Sequence, residues 1–239
     1  KELDAALLAN EVDLCVHSLK DVPVLENPAL PIGAYPKRAP ACDGMVLPKQ
    51  QSFADWNQSL PVGSASSRRT LQFQMQYPAC IVHPIRGNVL TRLEKLDRGE
   101  YGALILAEAG LQRLGLEHRI TRRFSPTEIV PAAGQGILAV QGRAGEYTDL
   151  LQRLNDPQAA FCAKIERSVS KALNGDCTAP IGAYADLQGE QVTLYGFYAE
   201  DGIGIKSTLT GSVTQAESLA NTLAEQLKQQ VQEKKEAML

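Results

Sequence analysis

The sequence predicts an α/β protein with a smaller α+β unit at its C-terminal end. Two patterns carry this. From Leu60 onward, apolar strand-like runs alternate with helical runs, the order of βαβ units with helices covering a sheet. Beyond Asp156 the order changes to one helix, three strand-like runs and a closing helix. The size and composition suit such a protein: 239 residues, 44% hydrophobic and 21% charged. A net charge of -3 gives no basic character that points to nucleic acid. No apolar run approaches a bilayer span, so no membrane role is expected.

The chain opens on KELDAALLANEVDLCV, where Leu3, Ala6 and Leu7 have helical spacing. A helix is expected over about 1–10 and a strand over about 12–17. The start lacks Met and falls inside a helical pattern, so further N-terminal sequence is expected before it. A Pro-rich link follows through Pro23, Pro28, Pro31, Pro36 and Pro40. LPVGS, CIVHPI and GALILA read as strands, and SSRRTLQFQMQ, NVLTRLEKLDRG and EAGLQRLGL as the helices between and after them. EIVPAAGQGILAVQGR gives apolar segments broken by a Gly-rich turn, and EYTDLLQRLN another helix.

Asp156 and Pro157 form a helix start, with Asp as the cap and Pro in the first helical position. The helix that follows carries Phe161, Ile165 and Val169 on one face, and Asn174-Gly175 ends it. PIGAYADL, QVTLYGFYA and GIKSTLTGSV read as strands separated by turns. Thr214 and Glu217 have capping-box spacing for the closing helix, whose tail KQQVQEKKEAML reads as solvated and frayed.

Four arginines lie at strand-to-helix turns. Arg68 and Arg69 fall in a first helical turn, Arg86 just before a helix that Asn88 caps, and Arg92 one turn inside it. A cation at a helix N-terminus opposes the macrodipole at a cost of ~0.3–1 kcal/mol. One such arginine is an ordinary surface residue; four together favour an anion site, with the hydroxyls of Ser64, Ser66 and Ser67 as further donors. The order is not that of a P-loop.

Val12 to Pro23 reads VDLCVHSLKDVP, an apolar strand ending in ionisable groups. Two readings stand. Lys20 and Asp21 pair in solvent, or Lys20 receives an anion while Asp21 stabilises a cation formed during reaction. His17 reads as structural. In PAAGQGI, Gly134 and Gly136 around Gln135 permit a tight turn and close approach to a ligand, or a plain interdomain crossing.

The five cysteines have no CxxC pair and fit neither a disulfide framework nor zinc; no metal is expected. Such usage suits a reducing, cytoplasmic setting. Cys15 and Cys162 read as buried filler. Cys177, in the loop NGDCTAPIG, is the better nucleophile candidate, although Asp176 beside it disfavours the thiolate.

HSLKDVP, GSASSRR, IRGNVLTRLEKLDRGEYGALILAEAGLQRLG, PAAGQGI and GDCTAPIG resemble, in order and across nearly the whole chain, the porphobilinogen deaminase (hydroxymethylbilane synthase) family. The resemblance implies two α/β domains similar to type II periplasmic binding proteins, flanking a cleft, and a third α+β domain bearing a cysteine. In this numbering they are 1–38 with 134–155, then 39–133, then 156–239. It implies a cytoplasmic, monomeric transferase of tetrapyrrole and heme biosynthesis. That enzyme joins four porphobilinogens head to tail, releases ammonia at each addition, and frees linear hydroxymethylbilane by hydrolysis. Cys177 would hold a dipyrromethane cofactor by a thioether. Arg68, Arg69, Arg86 and Arg92, with Ser64, Ser66 and Lys20, would meet the acetate and propionate groups, and Gln135 and Gly136 would border the cofactor. Asp21, with Lys20, would serve catalysis by binding pyrrole N–H groups and stabilising azafulvene and cationic pyrrole intermediates.

The chain departs from the family pattern in four places. Ala65 replaces a hydroxyl, Asp176 replaces a common glycine, Arg38 lacks its usual acidic neighbours, and the opening strand and helix are absent. That last segment would supply further ligands, from another chain if not from this one. A non-catalytic anion-binding protein of the periplasmic type and an inactive fragment of the enzyme stand as alternatives.

Overall fold

Three sheets divide the apolar strands. The computed structural model describes residues 2–24, 27–173 and 180–238. In chain order the elements begin with α1 (Glu2–Leu8), β1 (Leu14–Ser18), β2 (Ile32–Ala34), β3 (Asp43–Val46), β4 (Val62–Ser64) and α2 (Ser67–Gln76). Next come β5 (Val82–Pro84), α3 (Val89–Asp97), β6 (Ala103–Ala107), α4 (Glu108–Arg113), β7 (Ile120–Arg123), β8 (Leu138–Gly142) and α5 (Thr148–Leu154). The last are α6 (Pro157–Ala172), β9 (Ile181–Gln188), β10 (Gln191–Glu200), β11 (Ile203–Ser212) and α7 (Ala216–Glu236).

The five-stranded sheet has the order β5-β4-β6-β3-β7. Its β4 runs parallel to β5 and β6, as the βαβ pattern requires, but β3 is antiparallel to β6 and β7. The sheet is buried on both faces. Phe73 of α2 packs with Val62, Ile105 and Phe124 on one side, and Leu93, Leu96 and Leu111 of α3 and α4 with Leu104 and Leu106 on the other. That explains the unbroken apolar run ALILA in β6. A second sheet, β1-β8-β2, is wholly antiparallel. The third, β11-β10-β9, is an antiparallel meander against which α6 and α7 pack, through Ile165, Val169, Leu223 and Leu227.

The predicted caps form. Asn88 accepts from the Thr91 N–H at 2.9 Å and Asp156 from the Ala159 N–H at 2.8 Å, with Pro157 in the first turn of α6. Other expectations are corrected. The Pro-rich link contains β2 and leads into β3, whose three and four residues are too short to show a period. Strand β7, ITRR, is charged and carries no strand signal. Thr214 lies in a one-turn 3-10 segment before α7, so it does not cap that helix; Ser212 caps the segment instead. The tail of α7 is not frayed, because Leu227 and Val231 continue its buried stripe. The Asn174-Gly175 stop lies outside the described residues.

Two segments, 35–42 and 124–137, cross between the first and second sheets. They touch backbone to backbone: Ala39 N–H donates to the Gly136 carbonyl at 3.1 Å. Gly136 has φ +86, and a Cβ there would lie 2.4 Å from the Ala39 carbonyl oxygen. Gly115 has φ +67 with nothing within 4 Å of its Cβ position. Gly115→Ala is expected to show only the left-handed backbone cost, about 1 kcal/mol. Gly136→Ala adds a backbone clash and is expected to lower stability by at least about 3 kcal/mol in urea unfolding. Equal costs at the two positions would show that the crossing does not need its close approach.

Candidate active site

Strand β1 ends at Ser18 and the chain tightens into a one-turn helix over residues 19–21. Leu19 drives this geometry. Its N–H donates to the Ile137 carbonyl at 3.0 Å, and its side chain is buried over Gly134, whose Cβ position would fall 2.7 Å from Leu19 Cγ. Gly134 and Gly136 both adopt positive φ, so the PAAGQGI turn is tight as the sequence implies. With Leu19 turned in, Lys20 and Asp21 border a cavity of about 540 Å³. The opposite wall is the turn after β4 and the first turn of α2, bearing Ser66, Arg68 and Arg69, with Arg92 and Gln135 closing the sides. A neighbouring chamber of about 430 Å³ shares Ser66 and Arg92 and adds Ser64 and Arg86.

A buried carboxylate organises the basic wall. Asp43 Oδ2 accepts from Arg68 Nη2 at 2.8 Å, and Oδ1 accepts from Arg69 Nε and Gln135 Nε2, each at 2.9 Å. Burial alone pushes the Asp43 carboxyl up; Arg68 and then Arg69 outweigh this and hold it below the usual carboxylate range. The other end of the Gln135 amide, Oε1, accepts from Arg69 at 3.2 Å and from Lys20 at 3.4 Å. Lys20 is pushed down to about 8, first by burial and then by Arg69. Two guanidiniums and an ammonium thus face one buried carboxylate and Asp21, an excess of positive charge that suits an anionic ligand.

The turn that carries Gln135 is itself anchored. The Gln135 carbonyl accepts from Arg38 Nε at 3.1 Å and Nη2 at 2.9 Å. Arg38 in turn pairs with Glu166 of α6, Nη1 to Oε1 at 2.6 Å. Glu166 also accepts the Gly134 N–H at 2.7 Å and the Ala185 N–H at 2.9 Å. The acidic partner that Arg38 lacks in its neighbourhood is therefore supplied from 128 residues away.

Lys20, Asp21, Ser66, Arg68, Arg69, Arg92 and Gln135 meet in one cavity, and Arg86 lies in the adjoining chamber. Ser64 is buried and its hydroxyl donates to the Ser66 carbonyl at 3.2 Å, so it shapes the turn. Gly136 is not among the residues lining the cavity; its carbonyl accepts from Arg113 at 2.9 Å. Cys177 lies outside the described residues. His17 pairs with Gln141 on the neighbouring strand at 3.0 Å, a structural contact. Cys15 and Cys162 are buried, as expected. Among the described residues no group of three His, Cys, Asp or Glu could hold a metal ion.

Sequence reasoning missed the roles of Asp43, Gln72, Arg38 and Glu166. Gln72 and Glu166 carry one faint signal, a polar residue next to an apolar one on a helix, Gln72 beside Phe73 and Glu166 beside Ile165.

Residues 1–150 match the family model described as "Porphobilinogen deaminase, dipyromethane cofactor binding domain", and residues 160–229 match "Porphobilinogen deaminase, C-terminal domain". The porphobilinogen deaminase of Acetivibrio thermocellus is 52% identical over 225 residues, which is 94% of this chain and 76% of that protein. That of Alkaliphilus oremlandii is 48% identical over 95% of this chain and 77% of that protein. Among solved structures, a substrate binding domain of a putative amino acid ABC transporter from Streptococcus pneumoniae is 14% identical. It covers 69% of this chain and 73% of that one, with a TM-score of 0.39, too low to carry a topological equivalence. By both family models and these relatives, the chain belongs to the porphobilinogen deaminase family.

Proposed function

We propose that this cleft joins four porphobilinogen molecules head to tail, with loss of ammonia, into hydroxymethylbilane on a dipyrromethane held covalently by Cys177. The observation that supports it best is the shared cavity of Lys20, Arg69 and Arg92, in which Asp21 is the one carboxylate among the described lining residues. A non-catalytic anion binder is not favoured, since both matching family models are those of the deaminase.

The residues present fit the cofactor. Its acetate and propionate groups call for cations and N–H or O–H donors, and the lining supplies Lys20, Arg68, Arg69, Arg92 and Ser66, with Asp43 offsetting only part of the arginine charge. When bound, the dipyrromethane supplies the pyrrole carbon to which the first porphobilinogen is joined. Lys20, Arg86, Arg92 and the N–H groups of Arg68 and Arg69 that Asp43 and Val130 do not occupy would take the carboxylates of the rings. Asp21 accepts from the pyrrole N–H of the incoming porphobilinogen and offsets the positive charge that grows as ammonia leaves. One carboxylate serves each addition if the chain moves past it.

Sheet membership supports the domain assignment 1–38 with 134–155, 39–133 and 156–239. Strands within 14–34 and 138–142 form one sheet, those within 43–123 another, and those within 181–212 the third. We place the protein in the cytoplasm. The four described cysteines are free, in keeping with a reducing compartment. Among the described residues no helix is long and apolar enough to cross a membrane.

Intact mass of the full chain, made in a porphobilinogen-producing host, is expected to exceed the sequence mass by one dipyrromethane, and Cys177→Ser to lose that increment. An unmodified wild-type mass would remove the assignment. Asp21→Ala is expected to keep the increment while turnover falls by about 10²–10³-fold; wild-type turnover would take Asp21 out of the mechanism. Lys20 carries its charge below about pH 8 and loses it above. Porphobilinogen KM is therefore expected to rise above that pH, and Lys20→Arg, which stays charged, to flatten the rise. The same pH profile in both proteins would exclude Lys20 as the titrating contact.

A further inference from the structure

We infer that Gln72 is a positioning residue for the anion site: its amide clamps the backbone N–H and carbonyl of Val130 and thereby sets the direction of the Arg68 fork. The inference rests on the functional reading above for its consequence, though not for its geometry. Gln72 is 0% exposed and lies one helical turn beyond Arg68 on α2. It does not line the cavity.

Its side chain pairs with both backbone polar groups of one residue. The Val130 N–H donates to Gln72 Oε1 at 2.7 Å, and Gln72 Nε2 donates to the Val130 carbonyl at 3.1 Å. This reproduces with a side chain the pair of hydrogen bonds that a residue exchanges with its partner in an antiparallel ladder. Gln72 Nε2 also reaches the Arg68 carbonyl at 3.3 Å. The Val130 carbonyl accepts a second donor, Arg68 Nη1, at 2.6 Å. Arg68 is thus held at two points, Val130 on one side and Asp43 on the other, and the direction of its remaining N–H groups follows.

The Val130 peptide has little alternative. Pro131 follows it, and the Pro131 carbonyl accepts from the Ala183 N–H of β9 at 2.9 Å. A Cβ on Gly182 would lie 2.8 Å from the Val130 carbonyl oxygen. The peptide is wedged between α2 and β9, away from water. Without Gln72 the buried Val130 N–H loses its acceptor, and the carbonyl that steers Arg68 loses one of its two donors.

The test uses the full chain and two variants. Gln72→Met keeps the length and removes all three bonds, the two to Val130 and the one to the Arg68 carbonyl. Gln72→Glu keeps an acceptor for the Val130 N–H and removes the donor to its carbonyl. Phenylglyoxal labelling, mapped by mass spectrometry under native conditions, reads the exposure of Arg68. In Gln72→Met, labelling of Arg68 and the porphobilinogen KM are each expected to rise about tenfold, with kcat per cofactor-loaded molecule within about twofold. In Gln72→Glu, part of any lost melting temperature returns but the KM stays raised. A purely structural role would restore KM together with stability. If Gln72→Met does not fold, Gln72→Glu alone decides. Unchanged Arg68 labelling, or activity loss that tracks only the folded fraction, overturns the inference. Absence of porphobilinogen turnover in the wild type would instead sink the functional reading and leave the labelling result to judge Gln72.

Discussion

The cleft depends on the carboxylate of Asp43. Two guanidiniums cannot be buried side by side without an anion, because the desolvation of each charge far exceeds what neutral hydrogen bonds return. Asp43 meets both through separate oxygens and takes a third bond from Gln135. It can do so because it opens β3, an inner strand whose register against β6 pairs Asp43 with Ala107. The Asp43 carbonyl is held as well, by the Phe124 N–H at 3.0 Å. The sheet thus fixes the carboxylate, the carboxylate fixes the arginines, and the leftover positive charge faces the cavity.

A second buried carboxylate ties the site to the C-terminal unit. Glu166 of α6 holds Arg38 and the Gly134 N–H, and Arg38 holds the carbonyl of Gln135. Gln135 then offers one end of its amide to Lys20 and Arg69 and the other to Asp43. The unit that contains Cys177 in its sequence is therefore connected to the anion site by three consecutive charge-assisted contacts, Glu166 to Arg38, Arg38 to Gln135, and Gln135 to Lys20, Arg69 or Asp43. A displacement of α6 would be transmitted to the turn that carries Gly134 and Gln135.

The parts legible in the sequence were those that depend on local order. Lys20, Asp21, Ser66, Arg69 and Arg92 stood out because ionisable and hydroxyl residues gather where strands end, and the structure brings them to one cavity. Arg68 and Ser64 were recognisable by type but not by orientation. Each is turned toward its own scaffold, Arg68 by residues 25 and 62 positions away. Asp43, Gln72 and Glu166 could not be read as anchors, since their partners lie far along the chain and no period marks them. The caps at Asn88 and Asp156 were legible because a cap needs only three residues; the short strands β2, β3 and β7 were not, because three or four residues contain too little pattern.

The crossing between the first two sheets is a two-ply tie. Its plies, at Ala39 and Gly136, are joined by a hydrogen bond with no side chain between them. One ply cannot slide past the other without breaking that bond. Arg38 on the Gln135 carbonyl and the Gln135 amide on the Ala41 carbonyl stitch the same two plies again, so a rotation of one α/β unit against the other must carry these bonds along or break them.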